Sequence, residues 1–184
     1  MTGDHENRQL GLIVWITGLS GAGKSSVARE LAGQLRDLGR PVVVLDGDEV
    51  RAAIADPNVN HDRISRIANA MRLCRLAKLL ADQGVYVVTA TMSLFKEIHD
   101  WNRSNFDRYF EAYLKVDLEI LKRRDARQLY SQAQAGKVKN VVGVDLEFDE
   151  PQNPDLVLDN TAELHTLSAL AAQILEQLKA KGYC

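Results

Sequence analysis

Gly18-Leu19-Ser20-Gly21-Ala22-Gly23-Lys24-Ser25, directly behind the apolar run Leu12-Ile13-Val14-Trp15-Ile16, is the stretch whose reading decides the fold. Two glycines five positions apart, followed by Lys and Ser, make a phosphate cradle when a strand precedes them and a helix follows. Glycine lets the main chain turn tightly with its N–H groups inward, and a helix opening near Gly23 adds its positive end. The whole stretch, with Ser26 after it, is therefore expected to hold the phosphates of a nucleotide. Lys24 is expected to neutralise the outer phosphates and Ser25 to ligate Mg²⁺.

Outward from the loop, Val27, Leu31, Leu35 and Leu38 have helical spacing over residues 25–38, and Gly39 supplies a stop. A second apolar run over residues 41–45 ends in Asp46-Gly47-Asp48, which reads as a turn. Short buried strands alternating with helices predict a parallel sheet covered on both faces. Ligands collect at the carboxyl ends of such strands, where Asp46 and Asp48 fall. One of the two is expected to take a proton from an acceptor hydroxyl while the other orients metal-bound water, and the spacing leaves both assignments open.

Residues 56–61 read as a loop, and residues 62–83 as a long helix closed by Gly84. At about 100° per residue, Arg66, Asn69 and Arg72 share a sector with Leu73, Leu76, Leu79 and Leu80. That face is polar in the helix's first half and apolar in its second, as expected if it packs on the sheet and then runs out over a cleft. A solvated polar patch is the competing reading. Lys78 is expected to pair with Asp82 one turn on.

A third strand over residues 85–91 leads to Thr91 and Ser93. A helix over 95–109, a strand over 111–116 and a helical piece with Arg123-Arg124-Asp125 follow. Residues 128–150 read as a mobile lid, since loops of that length tend to be functional or disordered. A last strand over 155–158 and a helix over 162–181 complete five strands. Arg124, or Arg123, is the candidate cation for a transferring phosphoryl group, with a salt-bridged helix end as the alternative.

The 184-residue chain suits one domain, and its net charge of -2 carries no broad cationic surface for nucleic acid. Two cysteines far apart, Cys74 and Cys184, fit a reducing compartment, with Cys74 a core residue. Polar residues 1–10 read as a flexible tail before a single domain over 11–184, and no stretch is apolar enough to span a bilayer, so a cytoplasmic enzyme is expected. His5, His61, His99 and His165 lack metal-ligand spacing and read as surface or core residues.

Taken together, these residues resemble the adenylylsulfate (APS) kinases. The resemblance rests on the phosphate loop, Leu45-Asp46-Gly47-Asp48 with Arg51, Arg66-x-x-Asn69-x-x-Arg72, Ala77-Lys78-Leu79 and Ser93. It continues through Arg124-Asp125, Leu129-Tyr130, Ala135-Gly136-x-Val138-Lys139, Gly143-x-Asp145 and Asn153-Pro154-Asp155-Leu156-Val157-Leu158-Asp159. It implies an α/β P-loop NTPase-type fold, three α/β/α layers around a five-stranded parallel sheet, with a lid over about residues 124–150. It further implies Mg²⁺-dependent transfer of the ATP γ-phosphate to the 3'-hydroxyl of APS, giving PAPS in sulfate assimilation, and assembly as a homodimer. By resemblance Asp46 is the acceptor-side base, Arg51, Arg66 and Asn69 hold the acceptor nucleotide, and Lys139 approaches from the lid. Ser93 matches a serine associated in the family with a phosphoserine intermediate, which direct in-line transfer does not need.

The chain departs from that pattern in its acceptor half. Val141 stands where the family has an aromatic residue that stacks on adenine, Gln134 replaces a lid arginine, Ser65 replaces an Asp before Arg66, and a Gly-Phe-Ser segment is missing ahead of the long helix. Base stacking is worth roughly 1–3 kcal/mol. A related kinase for another nucleotide-linked or sugar hydroxyl is therefore the second reading. The reading from another class is a catalytically silent nucleotide-binding switch or subunit. Absence of an Asn-Lys-x-Asp stretch argues against a GTPase.

Overall fold

A strand that is apolar on both faces is stable only between two covered layers. In the computed structural model the run around Trp15 becomes such a strand, β1 (Ile13–Thr17), buried at every position. The structure describes residues 11–55, 60–125, 128–161 and 167–184. The other strands are Val42–Asp46 (β2), Tyr86–Thr91 (β3), Tyr109–Lys115 (β4) and Leu156–Asp159 (β5). They lie in the order β2-β3-β1-β4-β5, all parallel, with Ile13 opposite Val87 on one side and Tyr109 on the other.

Alternation along β1 sends Val14 and Ile16 to one layer and Ile13 and Trp15 to the other. The first layer packs on α1 (Lys24–Asp37) through Val27, Leu31 and Leu35, and on α7 (Leu167–Ala180) through Leu170, Ile174 and Leu178. The second packs on α3 (Arg63–Ala81) through Ala70, Leu73, Cys74 and Ala77, and on α4 (Lys96–Asn105) through Ile98. The chain has the expected three-layer α/β/α fold of the P-loop kinases, with its strand ends converging on one edge. Cys74 is a core residue, its thiol pushed up to about 12 by burial.

Several expectations need correction. Asp46-Gly47-Asp48 is not a turn: it opens a helix, α2 (Gly47–Ile54), because the Asp46 carboxylate caps it, accepting from the Asp48 amide at 2.9 Å. Helix α4 ends at Asn105, where the Asn102 carbonyl takes the Phe106 amide, and the chain turns early enough for Tyr109 to start β4. The stretch expected to be a lid is not wholly irregular. It contains α6 (Leu129–Gln134), after α5 (Leu118–Arg124), and it buries Tyr130, Val141 and Val142 against the core. On α3, Leu79 is exposed rather than buried, whereas the expected pair of Lys78 with Asp82 forms at 3.0 Å. The expected tail over 1–10, most of the 56–61 loop, residues 126–127 of the lid and 162–166 before α7, with His5 and His165, lie outside the described residues.

Candidate active site

The phosphate loop connects β1 to α1, and two of its glycines are there for geometry. Gly18 has φ 154° and a Cβ on it would sit 2.5 Å from the Leu114 carbonyl oxygen. Gly23, the residue preceding α1, has φ 97°, and a Cβ there would meet the Asn160 side chain at 2.8 Å. Neither position accepts a side chain without strain. The loop edges a cavity of about 460 Å³ at the carboxyl ends of the strands.

That cavity gathers residues from five separate parts of the chain. Ser20, Gly21, Gly23, Lys24, Ser25 and Ser26 line one end. Asp46, Asp48 and Arg51 enter from β2 and α2, Arg66 and Asn69 from α3, Ser93 from the end of β3, and Lys139 from the lid. Gly18, Leu19 and Ala22 support the loop from beneath, Leu19 and Ala22 being buried. Arg124 does not line the cavity, because its guanidinium is drawn to the Thr161 carbonyl at 3.1 Å, beyond the end of β5. Arg72 is also outside it, donating to Asn69 Oδ1 at 3.0 Å.

At the nucleotide end, Ser25 Oγ donates to Asp46 Oδ2 at 2.5 Å, and the Lys24 ammonium donates to the Leu19 carbonyl at 2.8 Å. Both oxygens of Asp46 are engaged, one by Ser25 and one by the Asp48 amide. Asp48 pairs with Arg51 at 3.2 Å. A hydroxyl beside a buried carboxylate is a set of hard oxygen donors, the kind Mg²⁺ takes together with substrate phosphates. Among the described residues no group of three or more His, Cys, Asp or Glu could hold a metal by itself.

At the other end, Arg66 crosses from α3 to the lid. Its Nε donates to the His61 carbonyl at 2.7 Å and its Nη2 to the Asn140 carbonyl at 2.8 Å. Burial, and then the neighbouring Arg51 charge, lower its pKa. Asp145 accepts from the Asn140 and Val141 amides, so the lid segment that faces Arg66 is tied at both ends. Those two amides hold the Asp145 carboxyl below the usual range.

Several lining residues have another place or no role in the sequence reading. His61 borders the cavity, its pKa lowered by burial and then by Arg66 and Arg51. Val50, Ile54, Val138 and Val141 give the cavity an aliphatic wall. Only the capping pattern after Asp46 could have placed Val50 and Ile54, since it implies a helix facing the cleft. Tyr130, of α6, was noted within a motif but given no task.

The fold and the site define the class: an α/β phosphotransferase that uses ATP and passes its phosphoryl group to a hydroxyl. A family model described as adenylylsulphate kinase matches residues 10–159, and the chain belongs to that family. It is 40% identical over 149 residues, 81% of this chain and 86% of the other, to the cytidine diphosphoramidate kinase of Campylobacter jejuni subsp. jejuni serotype O:2. It is 36% identical over 178 residues, covering 96% of this chain and 89% of the other, to a probable adenylyl-sulfate kinase of Bacillus subtilis. Among solved structures, the Mycobacterium tuberculosis APS kinase CysC in complex with AMPPNP and APS superposes with a TM-score of 0.85 at 33% identity, over 92% of this chain and 98% of that one.

Proposed function

We propose that the protein transfers the γ-phosphoryl group of ATP to a hydroxyl of a nucleotide-linked acceptor, with APS as the leading acceptor and PAPS as its product, a step of sulfate assimilation. The observation that carries this reading is one cavity edged by the phosphate loop at one end and by Asp46, Arg51, Arg66, Asn69 and Lys139 at the other. Phosphoryl transfer asks mainly for alignment, charge neutralisation and exclusion of water. Loop amides and Lys24 grip the triphosphate tail, and Arg51, Arg66, Asn69 and Lys139 hold the acceptor so that its hydroxyl lies in line. Ser25, with the substrate phosphates, would hold Mg²⁺, which when bound would spread the charge developing on the transferring group.

Asp46 is the base in this reading. Its Oδ2 accepts from Ser25. Ser25 is the hydroxyl that would turn to a bound cation, which would leave this carboxylate oxygen open to the acceptor's proton. Asp48, beside Arg51, orients water and acceptor. Ser93, bonded to Thr91 Oγ1 at 2.7 Å, shapes the floor of the site. Arg124 acts only if α5 and the lid bring it inward on closing. We assign the enzyme to the cytoplasm as one kinase domain over residues 11–184 that forms a homodimer. No helix among the described residues is long and apolar enough to cross a membrane.

A coupled ADP-release assay with Mg-ATP and APS tests the proposal. Turnover that depends on APS supports it, and none removes APS as acceptor. A second reading, an acceptor linked to cytidine diphosphate, is favoured by the aliphatic Val141 wall and by the 40% identity to a cytidine diphosphoramidate kinase. Run beside APS in the same assay, a cytidine-diphosphate-linked acceptor turned over faster would decide for it.

A further inference from the structure

A trans peptide unit carries its C=O and N–H on opposite sides, so a group that fixes a carbonyl also aims the next amide. Three carbonyls of the phosphate loop are fixed in this way. The Leu19 oxygen accepts from Lys24 Nζ at 2.8 Å and from the Ala22 amide at 3.2 Å. The Ala22 oxygen accepts from Asn160 Nδ2 at 2.8 Å. The Ser20 oxygen accepts from the Tyr130 hydroxyl at 3.0 Å. The amides aimed by the last two belong to Gly21 and Gly23, both of which line the cavity.

The two braces differ in where they come from. Asn160 is fully buried just past the end of β5, and its own amide is bonded to the Lys115 carbonyl at 3.2 Å, so it is anchored to the edge of the sheet. Tyr130 belongs to α6 in the lid. That helix is held by the Asp125 carboxylate, which accepts from the Tyr130 and Ser131 amides at 2.9 Å each. The Tyr130 ring is almost entirely buried in the layer that also takes Val141 and Val142, the residues next to the Arg66 latch. Burial pushes its hydroxyl up to about 12, so it stays a hydrogen-bond donor across the working pH range.

We propose that Tyr130 is a positioning residue that couples the lid to the phosphate loop: by pinning the Ser20 carbonyl it holds the Gly21 amide toward the nucleotide, and it transmits the lid's position to the loop. Asn160 is the fixed counterpart, bracing the Gly23 amide from the sheet. This goes beyond the proposed reaction, and its first test needs no nucleotide.

Amide hydrogen exchange of the unliganded protein is compared for wild type, Tyr130→Phe and Asn160→Leu. Phe keeps the buried ring and removes only the hydroxyl, and an unchanged melting temperature verifies the fold. For Tyr130→Phe, exchange quickens several-fold both in residues 20–24 and in residues 129–134. For Asn160→Leu it quickens in residues 20–24 alone. Wild-type exchange at residues 20–24 in Tyr130→Phe overturns the proposal, and so does a lid response equal in the two variants. Calorimetry with Mg-ATP then reads about a fivefold weaker affinity for Tyr130→Phe, the size of one neutral hydrogen bond. A wild-type protein that gives no heat with Mg-ATP refutes the kinase reading instead, and the exchange data still decide the fate of the Tyr130 link.

Discussion

The two ends of the cavity are built from different material. At the nucleotide end, contiguous residues present main-chain amides, and glycine at positions 18 and 23 is required by backbone angle and close approach. At the acceptor end, single side chains from α2, α3 and the lid meet across the cleft, and the Arg66 bond to the Asn140 carbonyl joins elements 74 positions apart. Backbone chemistry tolerates little change, whereas a wall of side chains can be refitted one residue at a time. On that ground the acceptor end is the one expected to vary between related kinases.

The sharpest way to break the comparison is at Lys24. Its side chain meets the Leu19 carbonyl and the cavity rather than the core, so Lys24→Ala should lower turnover by about 10³-fold with little change in melting temperature. An equal loss of stability would make the nucleotide end a folding device. At the acceptor end, Arg66→Ala should raise the acceptor KM about tenfold or more, the size of a charged hydrogen bond, and leave the ATP KM within about twofold. A matching rise for ATP would show that the two ends are not separable.

Val141→Phe sharpens the same contrast on a smaller scale. The residue is 2% exposed and lines the cavity, so an aromatic ring there should shift preference toward an adenine-bearing acceptor by up to about tenfold. Competition between APS and a cytidine-linked acceptor reads the shift, and no change would put the acceptor's base elsewhere. The mildest effect concerns acid. Asp145 and Asp125 have carboxyl groups held below their usual range, Asp145 by the Asn140 and Val141 amides and Asp125 by hydrogen bonds from Ser131. A depressed native pKa contributes stability that is complete above the unfolded value near 4 and is lost as pH falls through the native one. Lid amides, corrected for intrinsic exchange, should therefore lose protection below about pH 4 ahead of those in β1. Simultaneous loss would contradict the assignment.

How far the chain could be read in advance follows the same division. Period and punctuation located β1, α1, α3 and the parallel sheet, because each is specified by its own residues. The phosphate loop was legible for the same reason. Helix α2 was missed because Asp46-Gly47-Asp48 is equally good turn chemistry, and only the Asp46 carboxylate bonding back to the Asp48 amide decides for a helix. The contacts of the lid were not legible because its turn residues and charges are local, while the burial of Tyr130, Val141 and Val142 depends on partners far away in the chain. Arg124 was placed on the transferring phosphate by charge alone, and the Thr161 carbonyl that draws it aside has no mark in the sequence. His61, which reads as a surface or core residue for want of metal spacing, borders the cavity because tertiary structure brings it near Arg51 and Arg66.

The central claim is that a carboxylate beside the phosphate loop deprotonates the acceptor hydroxyl that attacks ATP. A single-turnover experiment with γ-labelled ATP, Mg²⁺ and APS, comparing wild type with Asp46→Asn at saturating ATP, tests it most directly. In the wild type the label should move to the acceptor hydroxyl, and in the variant at least about 10²-fold more slowly although ATP still binds. Transfer at equal rates, or label appearing only as free phosphate in the wild type, would contradict the account.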